Sequence, residues 1–207
     1  MKIERDIYLN RLKNKMWNGQ VKEVVGLRRS GKTYLLFDIF KPYLIQSGVN
    51  PENIIELKLD LPQNRHLNTL DKIWNVINKS IKKDQKYYVL IDEIQQIPDF
   101  KYLITGLYEM KNIDAYVTGS NSKFLSADID TALNGKNDCI HLYPLSFSEF
   151  IQCYNNDKGA AWRDFCMYGS LPLVTIQNDH KNKTKYLQQI YSELYLNDLL
   201  INTKLKV

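Results

Sequence analysis

Glycine, proline, cysteine and histidine are all scarce in this chain, and after residue 33 so is arginine. Of 207 residues, 9 are glycine, 6 proline, 3 cysteine and 3 histidine. Cys139, Cys153 and Cys166 are odd in number and show no C-x-x-C spacing, which excludes a disulfide framework and argues against a thiolate metal site. They read as reduced, partly buried thiols. His66, His141 and His180 are equally dispersed and show no ligand spacing. No apolar run approaches the ~20 residues that cross a bilayer. The opening MKIERDIYLN places charges where a signal peptide carries its apolar stretch. The expectation is a cytoplasmic protein with no membrane contact.

What remains is ordinary globular material, 44% hydrophobic and 25% charged, long enough for one α/β core and a small appendage. The net charge of +5 comes largely from scattered lysines such as Lys181, Lys183, Lys185, Lys204 and Lys206. That balance permits contact with nucleic acid or with anionic nucleotides and argues for neither by itself.

Against this low glycine content one stretch stands out: VKEVVGLRRSGKTYLL, from Val21 to Leu36. Gly26, Gly31, Lys32 and Thr33 fit G-x-x-x-x-G-K-[ST], preceded by an apolar run and followed by a helix-favouring segment. Luck would produce the pattern in roughly one chain in a hundred of this size. Glycines let the backbone approach a triphosphate with its N–H groups, and the helix that follows presents its positive end. The nucleotide-binding residues are therefore Gly26, Leu27, Arg28, Arg29, Ser30, Gly31, Lys32, Thr33 and Tyr34. Lys32 is expected to reach the β- and γ-phosphates and the Thr33 hydroxyl to hold Mg²⁺.

Around the loop the chain alternates between two periodicities. Ile3 to Met16 reads as a short amphipathic helix ended by Asn18-Gly19. Val21 to Gly26 is the first core strand, and the helix after the loop is expected to end near Pro42. Ile54 to Leu61 alternates as a strand at or near a sheet edge. Leu67 to Lys82 has helical spacing, with Trp74 as a core residue. Tyr87 to Ile91 is a buried strand, Phe100 to Met110 a helix, Ala115 to Thr118 a strand, and Cys139 to Tyr143 a fifth strand stopped by Pro144. Strands alternating with helices predict an α/β fold, an open parallel sheet with helices on both faces. Beyond Pro144 the pattern is helical: Ser146 to Tyr154 with a serine cap, Ala160 to Tyr168, a turn at Tyr168–Pro172, and Lys183 to Leu200. A boundary at residue 144 separates a core over 1–144 from a helical segment over 145–207.

A phosphate loop needs an acid at the end of a buried strand, and YYVLIDE supplies it. Asp92 is the candidate to orient Mg²⁺, and Glu93 to take a proton from the water that attacks the γ-phosphate. The alternative is an acid pair that caps the next helix. After Thr118 the small polar residues Gly119, Ser120 and Asn121 lie at the carboxyl rim, where open α/β sheets bind ligands. Asn121 or Ser120 there can reach the γ-phosphate or the water; an ordinary Ser/Asn cap is the other reading. Arg28, Arg29, Arg65 and Arg163 are the candidates within this chain for an arginine at the developing charge.

Taken in order, VVGLRRSGKTYLL, YYVLIDEIQQIPDF, VTGSNSKFL, LNGKNDCIHLYPLSFSEF, YGSLPLV and YLQQIYSELYLNDLL resemble the AAA-type P-loop ATPases of bacteria and archaea, the AAA_14 type, that carry a DUF4143-like C-terminal domain. The resemblance covers nearly the full chain. It implies an ASCE-type sheet of order 5-1-4-3-2, ATP with Mg²⁺, and hydrolysis. Lys32 and Thr33 match the Walker A pair, Asp92 and Glu93 match Walker B, and the end of VTGSN, with Asn121, matches the sensor region. IERDIYLNRL resembles the segment that packs near the adenine. Two departures stand out. Gly135-Lys136 replaces a Gly-Arg, and the chain stops soon after Leu200 where relatives continue, so a truncated C-terminal domain is expected. The expected activity is ATP hydrolysis with water as nucleophile. Rival readings are an ATP-dependent switch with little turnover and a nucleic-acid-stimulated motor. ATP or ADP is the expected ligand, with a protein partner or a second copy as further candidates.

Overall fold

The computed structural model describes residues 3–82, 84–119, 122–154, 157–177 and 179–196. They cluster into two compact units. The larger, Arg5–Leu27 with Gly31–Leu142, holds a five-stranded sheet. Its strands are β1 (Val21–Val25), β2 (Ile54–Lys58), β3 (Tyr87–Asp92), β4 (Ile113–Thr118) and β5 (Asn137–His141). All four pairings are parallel, in the order β2-β3-β4-β1-β5. This is the expected 5-1-4-3-2 order, with β1 and its loop near the centre and β2 at an edge.

Strand alternation sorts the sheet into two faces. One carries Val21, Val25, Val89, Ile91, Ala115 and Val117 into a core shared with the helices Leu70–Ser80, Phe100–Glu109 and Ser122–Leu133. Trp74 packs at its margin, and a Cβ on Gly106 would stand 2.4 Å from the Trp74 ring. Gly106 thus lets the two helices approach. The other face carries Val24, Tyr88, Leu90 and Tyr116 against the first helix, Asp6–Asn14, and the helix after the phosphate loop.

That second helix departs from expectation. It does not end near Pro42: Lys32–Tyr34 is α-helical, Leu35–Phe40 is π-helical, and Lys41–Gln46 resumes the α-helix with Pro42 in its first turn. Widening to the π form lets the Lys41 N–H bond to the Leu36 carbonyl, five residues back. The looser turn just ahead of Pro42 gives its ring a place in the helix. The helix Ser122–Leu133 has no counterpart in the periodicity reading, and neither does the short helix Pro172–Thr175, which starts where the expected turn Tyr168–Pro172 ends. Cys139 and Cys166 are exposed rather than partly buried, and Cys153 is half-buried; all three are free.

The smaller unit comprises the described residues of Met1–Glu4, Arg28–Ser30 and Tyr143–Val207. Its helices are Phe147–Phe150, Lys158–Tyr168, Pro172–Thr175 and His180–Ile190, the last continued by a π-helical turn, Tyr191–Leu196. Ser146 and Glu149 form a reciprocal capping box, and Asp157 and Asp179 cap the helices that follow them. Leu145, Phe150 and Ala161 form one small core, and Val174, Tyr186 and Ile190 another. Lys183 is buried in an ion pair with Asp164. Within this unit the Arg29 guanidinium bonds Glu193 at 2.7 Å and lies over the Tyr186 ring. Leu199 and Leu200, expected at the end of the last helix, lie outside the described residues. Among the described residues no helix is long and apolar enough to cross a membrane.

Candidate functional site

The loop after β1 turns on backbone conformations that suit glycine. Gly26 has φ 154° and Gly31 φ 99°, and Arg29 between them is also left-handed, at 64°. Gly31 caps the helix that begins at Lys32, and its carbonyl accepts the Leu35 N–H at 2.8 Å. Lys32 is buried, and its ammonium donates to the carbonyls of Gly26 (3.0 Å) and Leu27 (3.1 Å). Its charge therefore sits inside the curl of its own loop. Tyr34 packs at the edge of the core beneath.

From Lys32 the next side chain reaches across to β3. The Thr33 hydroxyl donates to Asp92 Oδ2 at 2.7 Å. Asp92 is the last residue of β3 and is fully buried. Burial pushes its carboxyl up, opposed by hydrogen bonds from Thr118 and Thr33, while the nearby Glu93 charge adds to the rise. Ile91 pairs with Val117 across the β3–β4 ladder, so the next residue on each strand, Asp92 and Thr118, lies at the same level. The Thr118 hydroxyl donates to Asp92 Oδ1 and accepts the Glu93 N–H at 3.1 Å. Glu93 itself is left-handed (φ 56°, ψ 49°), which turns the chain sharply off the strand into the 3₁₀ turn Ile94–Gln96. The Gln95 side chain donates to Glu93 Oε2.

Lys32, Thr33, Asp92 and Glu93 are thus joined at one rim of the sheet. Arg28, Arg29 and Ser30 cluster instead with the smaller unit. Asn121 and Ser120 lie outside the described residues. Thr118 and Gln95 had not been singled out. Thr118 was detectable only as a strand end like Asp92; that the two meet depends on the β3–β4 register. Gln95 was not, because its contact depends on the left-handed turn at Glu93.

The donor set at Thr33 and Asp92 is a hydroxyl and a carboxylate, both hard oxygens. That suits Mg²⁺, which takes one or two protein oxygens and completes its shell with water and phosphate. No cluster of three or more His, Cys, Asp or Glu side chains able to hold a metal occurs among the described residues.

A five-stranded parallel sheet with a glycine-bounded phosphate loop after the inner strand β1, and an acid ending the second strand away, defines a P-loop NTPase. The chain belongs to the AAA domain family, whose model matches residues 18–151. It is a nucleotide-binding protein of the AAA type. Among curated proteins it is similar to an uncharacterized protein of Haemophilus influenzae, 32% identical over 95% of this chain and 50% of that protein. It also resembles the uncharacterized protein MJ1544 of Methanocaldococcus jannaschii, 29% identical over 96% of this chain and 45% of that protein. The chain therefore spans about half the length of these relatives. Among solved structures it resembles Saccharomyces cerevisiae Hsp104 in complex with casein, with TM-score 0.54 and 14% identity over 81% of this chain and 31% of the other. A DNA polymerase III gamma subunit-related protein of Thermotoga maritima matches with TM-score 0.51 and 11% identity over 98% and 67%. Aeropyrum pernix ORC1 in complex with DNA matches with TM-score 0.50 and 15% identity over 73% and 48%. At these identities the likeness is one of fold.

Proposed function

We propose that this chain binds ATP with Mg²⁺ and hydrolyses it with water as the nucleophile. The observation that carries the reading is the single connected run Thr33–Asp92–Thr118–Glu93, with the buried Lys32 one residue before it in the loop. In it, the backbone N–H groups of residues 26–34 cradle the phosphates. Lys32 exchanges its loop carbonyls for β- and γ-phosphate oxygens. Thr33 and Asp92 hold the cation. Mg²⁺ held there would supply positive charge to the phosphate oxygens. Glu93 accepts the proton of the attacking water, and Asn121 contributes a polar group to the reaction. The segment from Ile3 to Leu12 packs near the adenine. Residues 1–144 form the ATPase core, and 145–207 a helical C-terminal segment.

The test is steady-state phosphate release by the wild type and by Glu93→Gln, paired with the thermal shift each shows on adding ATP. A wild-type rate about 10²- to 10⁴-fold above that of Glu93→Gln, with both proteins stabilised by ATP, supports hydrolysis. Equal, near-background rates with intact ATP stabilisation would favour a nucleotide-dependent switch. No thermal shift in the wild type would overturn nucleotide binding, with Lys32→Ala as the binding-defective control.

A further inference from the structure

We propose that Thr118 and Gln95 are positioning residues that hold Glu93 from two ends, Thr118 through its backbone and Gln95 through its carboxylate. The inference rests on the ATPase reading and deepens it. Glu93 is a charged, non-glycine residue in the left-handed region, immediately after a buried strand. Such a conformation persists only where the surroundings dictate it, and it tends to be found where a side chain must be aimed. Here two groups dictate it.

The first is Thr118, completely buried at the end of β4. A hydroxyl has one proton to donate, and this one goes to Asp92 Oδ1. A lone pair is left to accept the Glu93 N–H, at 3.1 Å. One side chain therefore ties the cation-binding carboxylate to the backbone of the proposed base. Their separation is set by a single oxygen rather than by two independent rotamers. Valine has the same shape and can make neither bond.

The second is Gln95. Its side-chain amide donates to Glu93 Oε2. The turn that carries it is pinned by Gln96 N–H to the Glu93 carbonyl (2.9 Å) and Ile97 N–H to the Ile94 carbonyl (3.1 Å). Ile94 and Ile97 sit buried in the core below. With Oε2 held, Oε1 is the oxygen left to meet the water. A donor without charge steers the carboxylate without competing for the cation.

The experiment combines amide exchange at Glu93 in nucleotide-free protein with phosphate release and ATP affinity. Thr118→Val is expected to speed Glu93 amide exchange about tenfold or more. It should also cut kcat by about 10²-fold, the cost of misplacing a reacting group by about an ångström. Thr118→Ser should keep both near wild type. Gln95→Leu should lower kcat about tenfold with ATP affinity within about twofold, and should cost nothing further in a Glu93→Gln background. Wild-type amide protection and kcat in Thr118→Val would overturn the role of Thr118. An undiminished loss from Gln95→Leu in the Glu93→Gln background would overturn that of Gln95. Should the wild type bind ATP yet release no phosphate above background, the hydrolysis reading fails. Glu93 amide protection then decides alone: lost in Thr118→Val and kept in Thr118→Ser it sustains the clamp, and unchanged in both it overturns it.

Discussion

One face of the sheet carries two buried polar networks, one at each end of the strands, and they differ in how they close. At the amino end Lys22 is fully buried against Asp114. The same carboxylate accepts the Trp17 N–H at 3.0 Å and the Tyr116 hydroxyl at 2.9 Å, and Trp17 in turn donates to Tyr88 at 2.8 Å. The charge is paired, the acceptors are filled and the aromatic rings seal it; Trp17 and Tyr88 meet edge to face at 5.3 Å. At the carboxyl end, two strand residues further along β4 from Tyr116, Thr118 joins Asp92 to Thr33 and to Glu93. There the backbone is left-handed at Glu93, and a buried carboxyl is pushed up. The amino-end network is built to stay as it is. The carboxyl-end network combines a left-handed turn with a desolvated carboxyl, a pairing more usual at a site than in a scaffold.

Substitutions at the two ends should separate accordingly. Asp114→Ala leaves Lys22 buried without its partner, and burial already pulls the Lys22 ammonium down against the pull of Asp114. The expected loss is about 3–5 kcal/mol in denaturant unfolding. A loss below about 1 kcal/mol would mean that the amino-end network is not the scaffold described.

The opposite face offers a control of intermediate size. Glu23 is fully buried in β1, with Ser126 donating to its Oε1 at 3.0 Å and no hydrogen-bond partner on Oε2. Burial pushes its carboxyl from 4.5 up to about 7, with the Ser126, Cys139 and Asn137 side chains opposing. A carboxyl raised on folding binds its proton more tightly in the native state. Its contribution is thus complete below pH ~4.5 and is lost as pH rises through about 7, a fall of about 3 kcal/mol. Thermal unfolding between pH 5 and 8 should show this slope in the wild type, and Glu23→Gln should flatten it. An unchanged slope would assign the pH dependence elsewhere.

The smallest stability effect belongs to the carboxyl end. Asp92→Asn removes a buried acid whose ionisation is disfavoured in the fold, so the nucleotide-free protein should keep its melting point or gain about 1 kcal/mol near pH 8. The extra thermal shift that Mg²⁺ adds to that from ATP should disappear. A large destabilisation with the Mg²⁺ effect intact would erase the contrast between the two ends.

Much of this was legible from the chain. GLRRSGKT is a local pattern whose physics is local, and YYVLID is a buried strand by its composition alone. The parallel sheet followed from the alternation of strand and helix, and its strand order from the family resemblance alone. Four features were not legible, each for a reason. The helix Ser122–Leu133 buries Ile129 and Leu133 in a core whose other members come from distant strands and helices, and its apolar letters form no clear stripe on their own. The run past Pro42 depends on a π-helical turn that no propensity signals. Lys22 and Glu23 are charged letters in the middle of VKEVV, yet all five positions are buried. Their burial is tolerable because Asp114 and Ser126 arrive from 92 and 103 residues away. Thr118 looked like the end of a strand and nothing more.

The sequence by itself determined the phosphate loop, the acid pair and the order in which they occur, because glycine placement, apolar run length and the neighbouring letters act over a few residues. Only the tertiary structure decided which hydroxyl joins the acid pair, which lysine is buried and which carboxylate meets it. Those are choices of register between strands far apart in the chain, and a side chain's partner across a ladder depends on that register rather than on its own neighbours.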